Sequence, residues 1–176
     1  MITENEISRQ TVRNIAEKML VAARTAPKAR GVDNLILAIA EKDDILEISK
    51  KMKEIGNRAN AAFFLRDAEN MLLAPYMLLL AAKINTLGLP VCSLCGFDNC
   101  EEKKKRPAIP CVFNTGDLGI AIGSAVSVAA AHHIDNRVMY TVGMAVKELG
   151  LLGEEAAVIY GIPLSATSKN PFFDRK

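Results

Sequence analysis

Asp117-Leu-Gly-Ile-Ala-Ile-Gly-Ser-Ala-Val-Ser-Val-Ala-Ala-Ala131 carries one charge, at its first position, and after it only small or apolar residues and two serines. The stretch reads as a helix over 117–132 that is apolar nearly all round, and a helix with that pattern is buried. Gly119, Gly123, Ser124 and Ser127 leave room for another backbone to approach closely. That suits packing against a symmetry mate, so a homodimer with this helix at or near its interface is expected.

The flanks supply the other layers. Glu4 to Arg24 has apolar Ile7, Val12, Ile15, Ala16, Met19 and Leu20 at roughly helical spacing. Ala26-Pro27-Lys28-Ala29-Arg30-Gly31 ends that helix in a basic loop. Leu35–Ala40 and Tyr76–Ala82 are continuous apolar runs, as in buried strands, and Ala156–Tyr160 is a third. Between the first two, Asp43 and Asp44 open a helix through Ile45, Leu46, Ile48, Met52 and Ile55, with Gly56-Asn57 as its stop. A shorter helix is expected over Ala59–Glu69 and another over Val138–Leu149, ended by Gly150 and Gly153. Strands and helices alternate, so the fold class is α/β or α+β, in three layers.

A chain of 176 residues fits one domain, 1–176. Half its residues are hydrophobic and Trp is absent, so the core is aliphatic, and part of the apolar surface is expected between subunits. A net charge of +2 does not favour nucleic acid or anionic membrane as a partner. Polar Met1–Gln10 does not read as a secretory signal, and Met71–Ala82 and Leu118–Ala131 are too short to span a bilayer. The expected location is cytoplasmic, where clustered cysteines point to a metal or to redox chemistry rather than to disulfides.

All four cysteines lie within one stretch, Asn85–Thr115, which keeps neither helical nor strand periodicity for long. It reads as an inserted module (85–115) held by something other than its own core. Cys92-x2-Cys95-x4-Cys100-x10-Cys111, with Gly96 after the second Cys, places two thiolates on one turn. Four thiolates are what an iron–sulfur cluster, [4Fe–4S] or [2Fe–2S], needs, and they would equally hold a tetrahedral zinc. Free thiols are the third alternative. No catalytic residue is identified: there is no Walker loop, GxGxxG, Ser-His-Asp set or H-E-x-x-H.

Cys92-Ser-Leu-Cys95-Gly96-Phe-Asp-Asn-Cys100 resembles the start of a small four-iron module of membrane electron-transfer complexes and corrinoid iron–sulfur proteins, whose fourth Cys usually lies farther downstream than Cys111. The wider pattern covers nearly the whole chain: Phe63-Phe-Leu-Arg-Asp-Ala68, Pro110-Cys111, Asp117-Leu-Gly-Ile-Ala-Ile-Gly-Ser124 and Lys169-Asn-Pro-Phe-Phe-Asp-Arg175. It is similar to a family of uncharacterised proteins known by a ferredoxin-type domain. That likeness implies an iron–sulfur redox protein, an electron carrier or an oxidoreductase, with Cys92, Cys95, Cys100 and Cys111 as ligands. A zinc-stapled interaction protein is the alternative.

A second resemblance is carried by Ala22-Ala-Arg-Thr-Ala-Pro27, the 117–131 helix and the strand end Tyr160-Gly-Ile-Pro163. These are similar to flavin-dependent nitroreductases. The likeness implies a nitroreductase-like sheet flanked by helices, dimeric, with FMN at the subunit interface. The arginine-rich phosphate-binding stretch of that family has no match before residue 20, and Ser8–Arg13 is the nearest segment. Arg24, Lys28 and Arg30 at the helix end could meet an FMN phosphate, or form a solvated basic loop. Lys169 and Arg175 could add cationic contacts. His132-His133 suits a helix C-terminus better than a metal site. Glu101–Arg106 reads as a solvated helix face or a dock for an acidic redox partner. Phe172 and Phe173 are expected to pin the tail to the body or to a partner subunit.

Overall fold

The computed structural model describes residues 1–173. Leu35–Ala40 (β1), Tyr76–Ala82 (β2), Asp135–Asn136 (β3) and Val158–Ser165 (β4) form one sheet in the order β1-β2-β4-β3, with every pairing antiparallel. β2 is central and every residue in it is buried. Its side chains alternate between two cores, because successive residues of a strand point to opposite faces. Met77, Leu79 and Ala81 join one cluster, and Tyr76, Leu78, Leu80 and Ala82 the other. That double burial explains why β2 is a continuous apolar run.

Helices Glu4–Thr25 (α1) and Val112–Ala131 (α5) pack on each other and cover the second face, where Val12, Met19, Leu118 and Ala125 are buried. Lys42–Ala59 (α2), Ala62–Asn70 (α3) and Tyr140–Leu149 (α6) cover the first through Ile48, Met52, Phe64 and Val142. The result is the expected three-layer arrangement, two helices on one face of the sheet and three on the other. α1 is closed at its start by a capping box in which Glu6 Oε2 accepts from the Thr3 amide at 2.9 Å. α6 presses onto β4 at Gly143, where an added Cβ would lie 1.8 Å from the Ile159 carbonyl oxygen.

Several boundaries differ from expectation. α2 runs through Gly56 and ends at Asn60 in the left-handed region (φ 50°). Gly56 is a packing position: Phe64 and Leu65 of α3 occupy the space where its Cβ would be. β4 extends past Tyr160 to Ser165, since Pro163 lies within the paired register opposite Met77. α5 begins at Val112, not Asp117, and its 20 residues are apolar and long enough to cross a membrane by length and composition. Its packing against α1 and β2 gives it instead the place of a core helix.

α5 is also not buried all round. Asn114, Asp117, Leu118, Ala121, Ala125 and Ala129 face inward, while Val112, Gly116, Gly119, Ile120, Gly123 and Ser127 are exposed. Small side chains on the outer face, rather than polar ones, made the helix look uniformly apolar. The tail is anchored as expected. Phe172 is fully buried, and Arg137 donates to its carbonyl at 2.8 Å while lying over the Phe173 ring. Arg137 also reaches buried Asp67, which accepts from Arg66 and Thr141. Arg175 lies outside the described residues.

Candidate metal centre

After β2 the chain runs without regular structure to Asn99, then forms the short helix Cys100–Lys104 (α4) and enters α5. The base of this loop is fixed by polar groups. The Asn85 amide donates to Asn114 Oδ1 at 3.0 Å, Asn85 Nδ2 to Asn34 Oδ1 at 3.1 Å, and Arg30 Nη1 to the Leu87 carbonyl at 3.0 Å. Buried Asn34 and Asn114 each keep an Nδ2 donor without a partner among the described residues. Beyond the base, the Gly96 amide donates to the Ser93 carbonyl at 3.0 Å, closing a turn between Cys92 and Cys95. Gly96 has φ 84°, which favours glycine there.

All four cysteines are free thiols. Cys92, Cys95 and Cys100 are partly exposed, and the Cys100 thiol faces the Leu89 carbonyl at 3.7 Å. Cys111 is buried at the N-cap of α5, where the positive end of the helix dipole favours a negative ligand. The loop does not draw the four into a ready-made cage: among the described residues no three His, Cys, Asp or Glu side chains group closely enough to hold a metal. The donor set nonetheless fits a soft metal centre. Four reduced thiols lie in a segment whose buried residues are few, and thiolate is the preferred ligand of iron–sulfur clusters and of structural zinc.

α4 divides its charges by face. Asn99 Oδ1 caps it by accepting from the Glu101 and Glu102 amides, each at 3.0 Å. Glu101 pairs with Lys104 and Glu102 with Lys105, both at 2.7 Å and both near the surface. Lys103 turns the other way and is only 2% exposed. In sequence Lys103 sits in a run that reads as a solvated helix face or a dock for an acidic partner. Its spacing sets it apart, since Lys103 is three residues after Cys100 and shares its face of the helix.

The three cations proposed for a flavin phosphate each have protein partners. Arg24 pairs with Asp33 and donates to the Leu35 carbonyl at 3.3 Å. Lys28 Nζ folds back on the end of α1, donating to the carbonyls of Arg24 at 2.5 Å and Ala26 at 2.7 Å. Arg30, in the left-handed region (φ 55°), holds Leu87. The neighbouring Ala29 amide donates to both carboxylate oxygens of buried Asp117, at 3.1 and 3.2 Å. Partial burial raises the Asp33 carboxyl, but the Leu35 amide and the Arg24 guanidinium outweigh it and hold the group below its usual range. These residues join the end of α1 to the cysteine loop and to α5, and a phosphate would have to compete with those contacts. His132 and His133 are exposed, with the His132 amide closing the last turn of α5.

The fold has many counterparts among solved structures. A nitroreductase with bound FMN from Bacteroides fragilis superposes with a TM-score of 0.61 at 12% identity, over 93% of this chain and 81% of that one. A BluB-like flavoprotein from Clostridium difficile gives 0.56 at 20% identity, over 89% and 84%. The hypothetical oxidoreductase YcnD from Bacillus subtilis gives 0.53 at 17% identity over 90% of this chain, which spans 59% of the length of that protein. At such identities the likeness shows the fold. In sequence, an uncharacterized protein of Archaeoglobus fulgidus is 38% identical over 183 residues, covering 99% of this chain and 97% of the relative. Residues 108–175, which include Cys111, match the family described as uncharacterized proteins containing a ferredoxin domain (DUF2148). Matched almost end to end by one relative and over its C-terminal part by that description, the chain belongs to this ferredoxin-domain family, on a nitroreductase-like fold.

Proposed function

We propose that the protein is an iron–sulfur redox protein in which Cys92, Cys95, Cys100 and Cys111 are the thiolate ligands. The observation that carries the reading is the set of four free thiols on one loop, whose base is fixed to the turn after α1 and to α5. The ferredoxin domain in the family's description supports it. A bound cluster would supply one-electron transfer. The chain's own part is to present one thiol just before the Ser93–Gly96 turn and one within it, one at the head of α4 and a buried one at the head of α5. Free thiols suit a reducing compartment such as the cytoplasm. Cys111 fixes the centre to the body while the other three leave an edge near solvent, a geometry that suits exchange of electrons with a partner protein.

Anaerobic purification followed by iron, sulfide and zinc analysis tests the reading. A brown protein that bleaches with dithionite is expected, with iron and acid-labile sulfide in equal amounts. Cys111→Ser and Cys95→Ser should each lower iron content severalfold while the far-UV circular dichroism is retained. Stoichiometric zinc without sulfide would replace the redox reading with a structural one.

The fold likeness to a nitroreductase solved with FMN favours a second reading, a flavin-dependent oxidoreductase. FMN titration of the whole chain decides it, and no saturable fluorescence quenching at tens of micromolar would remove it. We also propose a homodimer through the exposed face of α5, where Gly116, Gly119 and Gly123 have no atom within 4 Å of an added Cβ. Light scattering giving a mass near 19.1 kDa would overturn that.

A further inference from the structure

We propose that Lys103 is a built-in counter-charge for the cysteine-bound cluster, and that it raises the reduction potential of that cluster. The inference rests on the iron–sulfur reading and deepens it. A lysine can lay its stem over apolar surface and lift its ammonium into water. At 2% exposure of the whole residue, Lys103 has little access to that escape. Removing an ammonium from water without a partner costs several kcal/mol or more, so buried lysines are found with a counter-charge.

No described carboxylate supplies one. The acidic neighbours on α4, Glu101 and Glu102, are committed to Lys104 and Lys105 on the outer face. Asp98 is exposed and the Lys103 side chain makes no ion pair with any described residue. The remaining groups of this segment that can carry negative charge are its cysteines. Cys100 lies three residues before Lys103 on the same helical face, and the segment ends at buried Cys111. Four thiolates around an iron–sulfur core leave the assembly net anionic, and reduction adds a further electron. A fixed cation beside it therefore favours the reduced form. The same cation favours loading, because it offsets the repulsion of thiolates gathered in one place.

The test compares the whole chain as wild type, Lys103→Met and Lys103→Arg, each reconstituted anaerobically with iron and sulfide. Midpoint potentials are read by dithionite titration followed in the visible spectrum, with circular dichroism melts as the folding control. Lys103→Met should shift the one-electron reduction equilibrium about tenfold toward the oxidised form, about 59 mV to more negative potential. Lys103→Arg should keep the wild-type potential far more closely. If folded Lys103→Met takes up no cluster while Lys103→Arg does, the charge is required and the proposal stands. It is overturned if loaded Lys103→Met titrates at the wild-type potential, or if neither variant loads, which would make side-chain shape the determinant. Failure of the wild type itself to hold iron and sulfide is a different result: it removes the iron–sulfur reading and this inference with it.

Discussion

Between Tyr76 and Ala82 every residue is buried, whereas between 83 and 111 only Leu87, Lys103 and Cys111 are. The strand is held by two aliphatic cores and by backbone pairing on both sides. The loop has a polar base, a capped helix of five residues, and three partly exposed thiols. Body and loop thus draw on different sources of stability. Burial is enough for the sheet, while the loop lacks the apolar area to fix its own outer half, so a ligand has most to add there. The two should therefore respond to different perturbations, and three experiments separate them.

The largest effect is expected in the body. Gly143→Ala would drive a methyl group into the Ile159 carbonyl, a backbone atom that can retreat only by moving β4. Overpacking of this kind costs about 3 kcal/mol or more, and thermal melts should show it. The cysteine loop, tied to the turn after α1 and to α5 on the opposite face, should then be lost only with global unfolding.

Next is metal removal. On the iron–sulfur reading, chelation under reducing conditions should speed hydrogen exchange in 86–110 by about tenfold or more. β2 should exchange as before. Equal acceleration in both segments would mean that the loop and the body are one cooperative unit.

The smallest effect is electrostatic. The Asp33 carboxyl is held below its usual range in the folded chain, so the stability it contributes is present above the ordinary carboxylate pKa. That contribution is lost as pH falls through the depressed value. Acid melts of Asp33→Asn should therefore converge with wild type once the pH has fallen through that depressed value, and differ slightly at neutrality. A difference that grows on acidification would contradict that sign.

What the sequence disclosed follows the same division. Leu35–Ala40 and Tyr76–Ala82 were legible because a strand covered on both faces must be apolar throughout, and their bounds match. The helices were legible as helices but not in their ends. Gly56 reads as a stop and serves as a seat for Phe64 and Leu65, and a single chain does not reveal which neighbour a missing Cβ accommodates. The two-residue β3 carries no periodicity at all, and it exists because Asp135 and Asn136 fall opposite Ser165 and Leu164. In the loop, the spacing of the thiols announced a metal-binding chemistry, yet nothing in a run of six charged residues singled out Lys103. Only the fold shows that its neighbours pair outward while it turns in. Likewise Arg24, Lys28 and Arg30 read as a cationic set, but their partners are an acid and carbonyls distant along the chain or at a helix end.

β1 ends the sheet, and among the described residues it pairs with β2 alone. Its sequence, Leu-Ile-Leu-Ala-Ile-Ala, has no charge or proline to interrupt a newcomer, and the nearest charges, Asp33, Glu41 and Lys42, stand just outside its ends. An apolar edge of that kind is a template on which another extended segment can lengthen the sheet by one strand. The practical consequence is colloidal. Beyond any dimer formed through α5, chains newly made or partly melted should aggregate through this edge.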